Sequence, residues 1–259
     1  MDLGIAGRRA LITASSRGLG RACAEALAAE GVHVVINGRH EETMKKTADA
    51  IAAAHRVDVV AVPADINTAG GREALLETCP DPDILVNNNW GPPPGAWESF
   101  EYEDWLGAVE ANMLAPIMMI KGVVGGMRRR RFGRIVNITS QMVKSPFPVM
   151  GLSAGARTGL TGAVKALSRE VAKDNVTINN LLPERIDTER QVYMARQRAE
   201  SAGITYEAAR QEIVDSIAAG RMGRPEEFGA ACAFLCSAQA GYVSGQNLQL
   251  DGGSYRGTF

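Results

Sequence analysis

The stretch RALITASSRGLG, residues 9–20, decides the fold. Its first part, Arg9 to Ala14, is a short apolar run that predicts a buried strand. Its second part, Thr13 to Gly20, is a glycine-bearing turn, and a helical pattern follows over Gly18 to Ala29. Glycine after a strand lets the backbone approach a pyrophosphate, and the helix N-terminus stabilises its charge. The stretch therefore predicts a strand–turn–helix unit suited to a dinucleotide.

Short β-branched runs alternate with longer helical patterns along the rest of the chain. Such alternation is typical of a parallel sheet with helices on both faces. The predicted strands are Arg9–Ala14, Val32–Asn37, Val57–Val62, Ile84–Asn87, Arg134–Thr139, Val176–Leu182 and Asn247–Leu250, and the clearest helices are Gly18–Ala29, Glu41–Ala54, Ser153–Lys173 and Glu226–Cys236. No repeat or linker divides the chain, so we predict one α/β domain over residues 1–259: a doubly wound, Rossmann-type, seven-stranded parallel sheet.

The segment Pro183 to Gly220 has no strand pattern and is mostly helical and polar. It follows the carboxyl end of a predicted strand, where ligands bind in sheets of this kind. We predict a helical substrate lid over residues 183–220. The alternative is a packed helical insertion with no part in binding.

Composition and charge exclude several classes of partner. The formal net charge of the 259 residues is −1, with 46% hydrophobic and 22% charged residues, so no overall field recruits nucleic acid or a membrane. The run Arg128 to Arg131 follows the apolar stretch Met113 to Met127 and is interpreted as cations at a helix C-terminus, with a phosphate-binding patch as the alternative.

Cysteine and histidine spacing predicts no metal site. Cys23 and Cys79 lie in unrelated segments, and Cys232 and Cys236 share an apolar helical pattern without a histidine cluster, which favours reduced core thiols. The first strand begins near the N-terminus without a signal-peptide pattern, and no apolar run reaches 18 residues. We therefore expect a cytoplasmic protein.

The order of these motifs resembles the short-chain dehydrogenase/reductase family over essentially the whole chain, and in particular its 3-oxoacyl-carrier-protein reductases. The matching segments are Thr13–Gly20 (with Ala14 in place of the first glycine), Asp65, residues 87–91, Asn112, Gly133–Ser140, Pro183 with Ile186–Thr188, residues 245–246 and residues 251–253. The resemblance implies cofactor contacts from Thr13, Ser15, Arg17, Gly18, Leu19, Gly20, Arg39, Asp65, Asn87, Asn89, Pro183, Ile186 and Thr188.

Charge at the end of the second strand predicts NADP(H) as the cofactor. An acidic residue there would bind the ribose 2′-hydroxyl of NAD, but the strand ends Asn37-Gly38-Arg39. Arg39 and Arg17 together could grip a 2′-phosphate. The alternative is that both are solvated surface residues.

Trp90 stands where the family has a glycine beside the cofactor. Its ring either turns away, intrudes into the cofactor space, lies over the substrate side, or packs in the core. The residues alone leave these possibilities open.

The family's catalytic tyrosine would stand thirteen residues after Ser140 and its lysine four residues later. Here those positions are Ser153 and Arg157. A serine hydroxyl is a poor acid and arginine stays protonated, so the pair cannot relay a proton as tyrosine and lysine do. With Ser140 and the family-matched Asn112, they predict a site that polarises a carbonyl or stabilises an oxyanion. The alternatives are that Ser153 caps its helix and that Arg157 pairs with a surface acid.

A proton donor or base must then come from elsewhere. Glu184, which replaces the usual glycine after Pro183, is the leading candidate; Tyr193, Lys144 or a bound water are weaker ones.

Three functions compete. The first is an NADP(H)-dependent carbonyl reductase or alcohol dehydrogenase with an altered active site, acting on a small molecule. The second is a non-redox enzyme for retro-aldol cleavage, elimination, hydration or dehalogenation, and the third is a catalytically silent NADP-binding sensor. The family resemblance and the apolar segment Ala156 to Leu167 further suggest a homo-oligomer, a tetramer or a dimer, with neither nucleic acid nor membrane as a partner.

Overall fold

The sheet is built outward from β1 (Arg9–Ile12), which pairs with β2 (His33–Gly38) on one side and with β4 (Ile84–Asn87) on the other. β3 (Val59–Pro63) extends the first side, and β5 (Gly133–Ile138), β6 (Val176–Pro183) and β7 (Asn247–Leu250) extend the second. The computed structural model describes residues 2–258. Every strand pair in this range is parallel, in the order β3-β2-β1-β4-β5-β6-β7, which confirms the predicted doubly wound sheet.

Helices cover both faces of the sheet. They are α1 (Gly18–Ala29), α2 (Glu41–His55), α3 (Ala69–Thr78), α4 (Tyr102–Val109), α5 (Ala115–Arg130), α6 (Gly151–Val171), α7 (Glu189–Ala202), α8 (Tyr206–Asp215) and α9 (Pro225–Cys236). Alternate strand residues point to opposite faces. Ala10 and Ile12 accordingly pack in one core with α1, α2 and α9, whereas Leu11 packs in a second core with α3, α5 and α6.

Several predicted boundaries shift by one or two residues. β1 ends at Ile12, because Ala14 takes a left-handed conformation (φ +44°) that turns the chain into α1. α6 begins at Gly151, two residues earlier than predicted. The insertion after β6 forms α7 and α8, which hold a small apolar cluster of their own.

A ladder of asparagine amides crosses the sheet close to the carboxyl ends of the strands. Asn87 Nδ2 donates to Asn137 Oδ1 at 2.9 Å, Asn137 Nδ2 donates to Asn180 Oδ1 at 3.0 Å, and Asn180 Nδ2 donates to Asn247 Oδ1 at 2.7 Å. Each pair lies in direct register on neighbouring strands β4 to β7. Because buried amides need partners, the ladder fixes the alignment of the strand ends that support the site.

The helical stretch Tyr102–Arg130 is long and apolar enough to cross a membrane by length and composition, with a mean hydropathy of 1.3 in its best window. This differs from the expectation that no such stretch exists. The face carrying Met119, Ile120 and Val123 is buried against the sheet, as in the core helix of a globular domain. Its C-terminal arginines engage carboxylates: Arg128 donates to Asp174 and Glu170 at 2.8 Å, and Arg130 pairs with Asp81. These contacts favour the interpretation of the run Arg128 to Arg131 as cations at a helix C-terminus over the alternative of a phosphate-binding patch.

The four cysteine thiols are free and buried, as the spacing predicted.

Candidate functional site

A cleft of about 610 Å³ opens along the carboxyl ends of the strands. Its wall is formed by the turn between β1 and α1, the ends of β2 to β6, the start of α6 and the first turns of α7. This is the place where open parallel sheets bind ligands, and the volume lies within the usual range for small-molecule sites. The first turns of α7 border it, so the predicted lid segment lies at the site, while its mobility stays a prediction.

One end of the cleft has the features that a dinucleotide needs. The first turn of α1 carries no acidic residue, and Gly18 has φ +57°. A Cβ on Gly20 would lie 2.5 Å from the carbonyl oxygen of Ala14, so only glycine lets α1 start so close to β1. Arg17 and Arg39 are exposed on the wall, and Asp65 and Asn89 lie on it as well. This end therefore fits a pyrophosphate at the helix N-terminus with a further phosphate near the arginines.

Leu19, Pro183, Ile186 and Thr188 also line the cleft. Five other predicted site residues are not among the wall residues, and their cofactor-binding or catalytic roles stay predictions. They are Thr13, Ser15, Gly20, Asn87 and Asn112. Asn87 belongs to the amide ladder, and Asn112 is buried in a π-helical turn, Glu110–Leu114, between α4 and α5.

The hydroxyls of Thr13 and Ser15 hold the turn rather than face the cleft. Thr13 Oγ1 donates to the carbonyl oxygen of Asn88 at 2.7 Å and accepts from its amide at 2.8 Å. Ser15 Oγ donates to the carbonyl oxygen of Ile12 at 2.7 Å and accepts from the amide of Asn37 at 2.9 Å. These bonds tie the β1–α1 turn to the ends of β2 and β4.

Trp90 forms part of the cleft wall. Its side chain is not in the core, since the residue is 48% exposed. The ring centroid lies 5.7 Å from the guanidinium carbon of Arg17 and 5.2 Å from that of Arg190 in α7. Cations at such distances are attracted to the face of an indole ring. Trp90 thus connects the glycine-bearing turn to the lid segment across the mouth of the cleft.

Ser140, Ser153 and Arg157 all line the same cleft. Ser153 and Arg157 are four residues apart in α6 and so share one helix face. The N-cap of α6 is Met150, which contradicts the alternative that Ser153 caps its helix. Ser140 Oγ accepts a hydrogen bond from the amide of Met142 at 3.2 Å, which leaves its proton available to a ligand.

The Arg157 guanidinium is buried, with 7% of the residue exposed. Its Nη1 donates to the carbonyl oxygen of Ile138 at 2.9 Å and to that of Thr139. Within residues 2–258 no carboxylate pairs with it, so the alternative of a surface ion pair is wrong. Burial, and to a lesser extent the nearby charge of Arg190, lowers the pKa of Arg157 to about 10. The side chain therefore remains a cation at neutral pH.

Glu184 lies on the cleft wall with only 11% of its side chain exposed. Burial raises its pKa, with an opposing effect from Arg185, whose Nε lies 3.6 Å from Glu184 Oε1. Tyr193 and Lys144 are absent from the described lining. Tyr193 stacks near Arg190, and Lys144 lies 5.6 Å from the ring of Tyr255. Glu184 is thus the one of these three candidates that reaches the cleft.

Comparison with known proteins agrees with this architecture. Residues 13–255 match the family described as enoyl-(acyl-carrier-protein) reductase. The NADPH-dependent reductase BacG of Bacillus subtilis is 30% identical over 254 residues, covering 96% of this chain and 98% of the relative. The 3-oxoacyl-(acyl-carrier-protein) reductase FabG of Escherichia coli is 31% identical over 249 residues, with the same coverage. The chain belongs to the short-chain dehydrogenase/reductase family.

A solved member of this family has the same fold. L-sorbose reductase from Gluconobacter frateurii, crystallised with NADPH and L-sorbose, superposes with a TM-score of 0.94 at 30% identity and covers 99% of this chain and 100% of its own. The predicted class, an oxidoreductase that uses NADP(H), agrees with these relatives. The resemblance inferred from motif order is therefore confirmed at the level of the family.

Sequence reasoning missed wall residues at both ends of the cleft. Ser16, His40 and Thr43 line it beside Arg39, and Arg190, Gln191 and Met194 line it from α7. Ser16 lies within the glycine-bearing turn Thr13–Gly20, so its place at the cleft could have been predicted from the sequence. The α7 residues were not, because their approach depends on how the insertion packs.

Proposed function

We propose that the protein is an NADP(H)-dependent carbonyl reductase or alcohol dehydrogenase whose acid–base site has been rebuilt. The observation that carries the proposal is the lining of one cleft: a dinucleotide-fitting turn at one end, and Ser140, Ser153 and Arg157 at the other. Among the described wall residues there is neither a tyrosine nor a lysine.

The cofactor would lie along the turn and the strand ends. Residues of the turn from Arg17 to Leu19 would hold the pyrophosphate, Arg17 and Arg39 the 2′-phosphate, and Asp65 the adenine. Pro183, Ile186 and Thr188 would border the nicotinamide, as the family resemblance implies. When bound, NADP(H) supplies or accepts the hydride.

The chain's own groups would handle the carbonyl oxygen. The fixed cation of Arg157 and the hydroxyls of Ser140 and Ser153 would stabilise negative charge as it develops there, in a desolvated site where such charges act strongly. The proton that completes the alcohol would come from Glu184, because burial raises the pKa of its carboxyl and so favours the protonated form.

The direct test is a change of NADPH absorbance with a panel of carbonyl compounds, or of NADP+ with alcohols. Titration should show markedly weaker binding of NAD+ than of NADP+, because only the latter offers a 2′-phosphate to Arg17 and Arg39. Equal affinities would contradict the assignment of these two arginines.

A second candidate is a non-redox enzyme on the same scaffold. It is favoured by the lack of a tyrosine or lysine on the described wall, since oxyanion stabilisation without proton delivery suits retro-aldol cleavage, elimination, hydration or dehalogenation. Such an enzyme would convert its substrate with the cofactor spectrum unchanged. A silent sensor would bind NADP(H) and convert nothing.

The homo-oligomer, a tetramer or a dimer, also remains a proposal. Exposed apolar side chains along the α4–α5 segment, namely Leu106, Leu114 and Met118, support it. Analytical ultracentrifugation showing only monomer would contradict it. Cytoplasmic location stays a prediction.

A further inference from the structure

Arg157 has donors left over in the wall of the cleft. Its two carbonyl acceptors occupy Nη1, while Nε is buried without a hydrogen-bond partner in the described chain. Nη2 lies 3.2 Å from the position that a Cβ on Gly91 would take, so a side chain at residue 91 would crowd this edge of the guanidinium. The unused Nε–Nη2 edge is the one that forms paired, parallel hydrogen bonds with a planar group of two oxygens.

Arg190, in the first turn of α7, is a second cation of the same kind. Its Nη2 donates to the carbonyl oxygen of Pro92 at 2.9 Å, whereas Nη1 is buried without a partner in residues 2–258. Its guanidinium also contacts the rings of Trp90 and Tyr193, at 5.2 and 5.5 Å. No described carboxylate lies within ion-pair distance of Arg190. By contrast, Arg198 in α7 and Arg210 in α8 each pair with a carboxylate.

The two cations line the same cleft and act on each other. Burial lowers the pKa of both guanidinium groups, and the charge of Arg190 further lowers that of Arg157. Two desolvated like charges without a counter-ion are unfavourable, and an anion between them removes both the repulsion and the unused donors. The cleft that they line also carries the apolar side chains of Trp90 and Met194, so the anion would be one end of an organic molecule.

We propose that Arg157 and Arg190 together bind a carboxylate of the substrate, so that the substrate is an oxo acid or the corresponding hydroxy acid. This rests on the proposed function for the identity of the reacting carbonyl, which would lie within a few bonds of the carboxylate and would take its hydrogen bonds from the hydroxyls of Ser140 and Ser153. The anion site itself requires no reaction.

Binding can therefore be measured without cofactor or turnover. Isothermal titration calorimetry would compare oxalate, its uncharged analogue oxamide, and inorganic phosphate on the wild-type protein and on Arg190→Gln. Arg198→Gln is the matched control, since it makes the same change on the same helix at a surface ion pair with Glu212. We expect oxalate to bind, oxamide not to bind, and Arg190→Gln to weaken oxalate about tenfold or more, with Arg198→Gln unchanged. Thermal unfolding of both variants verifies that they fold.

Several results would overturn the proposal. One is that oxamide binds with the same affinity as oxalate. Another is that phosphate binds more tightly than oxalate and depends on Arg190. A third is that Arg190→Gln binds oxalate with the wild-type affinity. Loss of NADP+ affinity with unchanged oxalate affinity in that variant would assign Arg190 to the cofactor instead. Failure of the proposed redox function shows itself differently, as oxalate binding without any change of NADPH absorbance with oxo acids.

Discussion

Replacement by methionine should have little effect on the free energy of unfolding at the buried Arg157 and a large effect at the buried Arg134. Methionine keeps much of the side-chain volume and removes the charge and the donors. We expect Arg157→Met to leave the free energy of unfolding within about 1 kcal/mol of wild type, and Arg134→Met to lower it by about 3 kcal/mol.

For Arg157 two effects of similar size oppose each other. Burial lowers its pKa to about 10, and because one pKa unit corresponds to about 1.4 kcal/mol, the desolvated charge costs about 3 kcal/mol. Against this, the guanidinium donates to only two carbonyl oxygens, those of Ile138 and Thr139, worth roughly 2–3 kcal/mol together. Replacing the side chain removes the desolvation cost and the two hydrogen bonds together, so the free energy of unfolding changes little.

Arg134 has all three of its nitrogens engaged. Nε donates to the carbonyl oxygen of Ser237 at 2.9 Å, Nη1 to those of Gly133 and Asn175 at 2.9 and 3.0 Å, and Nη2 to Asn175 Oδ1 at 3.3 Å. The guanidinium also lies 4.4 Å from the ring centroid of Phe132. With four hydrogen bonds at about 1.5 kcal/mol each, against two in Arg157, the bonds outweigh the cost of burying the charge by about 3 kcal/mol.

Urea unfolding followed by circular dichroism measures both changes, and oxalate titration measures function in parallel. Arg157→Met should keep its stability and lose oxalate binding, whereas Arg134→Met should lose stability and, while folded, keep binding. A loss above about 3 kcal/mol in Arg157→Met would show that Arg157 is a structural residue and refute the argument from its unused donors.

Four other changes test separate parts of the structure. Joint replacement of Ser153 by Tyr and Arg157 by Lys should alter native activity; unchanged turnover would show that the pair is not the chemical centre. Asn137→Ala should lower the free energy of unfolding by about 2–4 kcal/mol in urea titrations, because it leaves an amide and a carbonyl of the ladder unpaired. Ala14→Gly should raise it by about 0.5–1 kcal/mol by relieving a left-handed alanine, and a decrease would contradict that view. Burial raises the pKa of the Glu184 carboxyl, so the free energy of unfolding should fall as the pH rises from the ordinary pKa of a glutamate through the raised pKa. Urea titrations at successive pH values should show this fall in the wild-type protein and not in Glu184→Gln.

The fold could be predicted because its signals are local and repeated. A strand, a glycine-bearing turn and a helix follow each other within residues 9–29, and β-branched runs recur at the spacing of a parallel sheet. The asparagine ladder escaped prediction, although all four of its asparagines fall within predicted strands. Pairing depends on strand register, and the helices between the strands set that register.

The site was predicted in part for the same reason. Ser140, Ser153 and Arg157 follow from counting along the chain, because one strand end and one helix face bring them together. Arg190 did not follow, since its place in the cleft depends on how α7 packs on the sheet. That no acid within residues 2–258 pairs with Arg157 could not be known either, because every acidic residue is a possible partner until the fold excludes it.

The predicted departures from the family pattern line one cleft. Trp90 contacts Arg190, Gly91 beside it leaves room for Arg157, and Ser153 stands on the same helix face as Arg157. For a protein that had only lost the family's tyrosine and lysine, a desolvated arginine without a counter-ion would add no stability over an apolar residue. Retaining two such cations in one cleft is understandable if a ligand supplies the missing negative charge. We therefore propose that Ser153 and Arg157 reflect a changed substrate and proton path rather than the decay of a reductase.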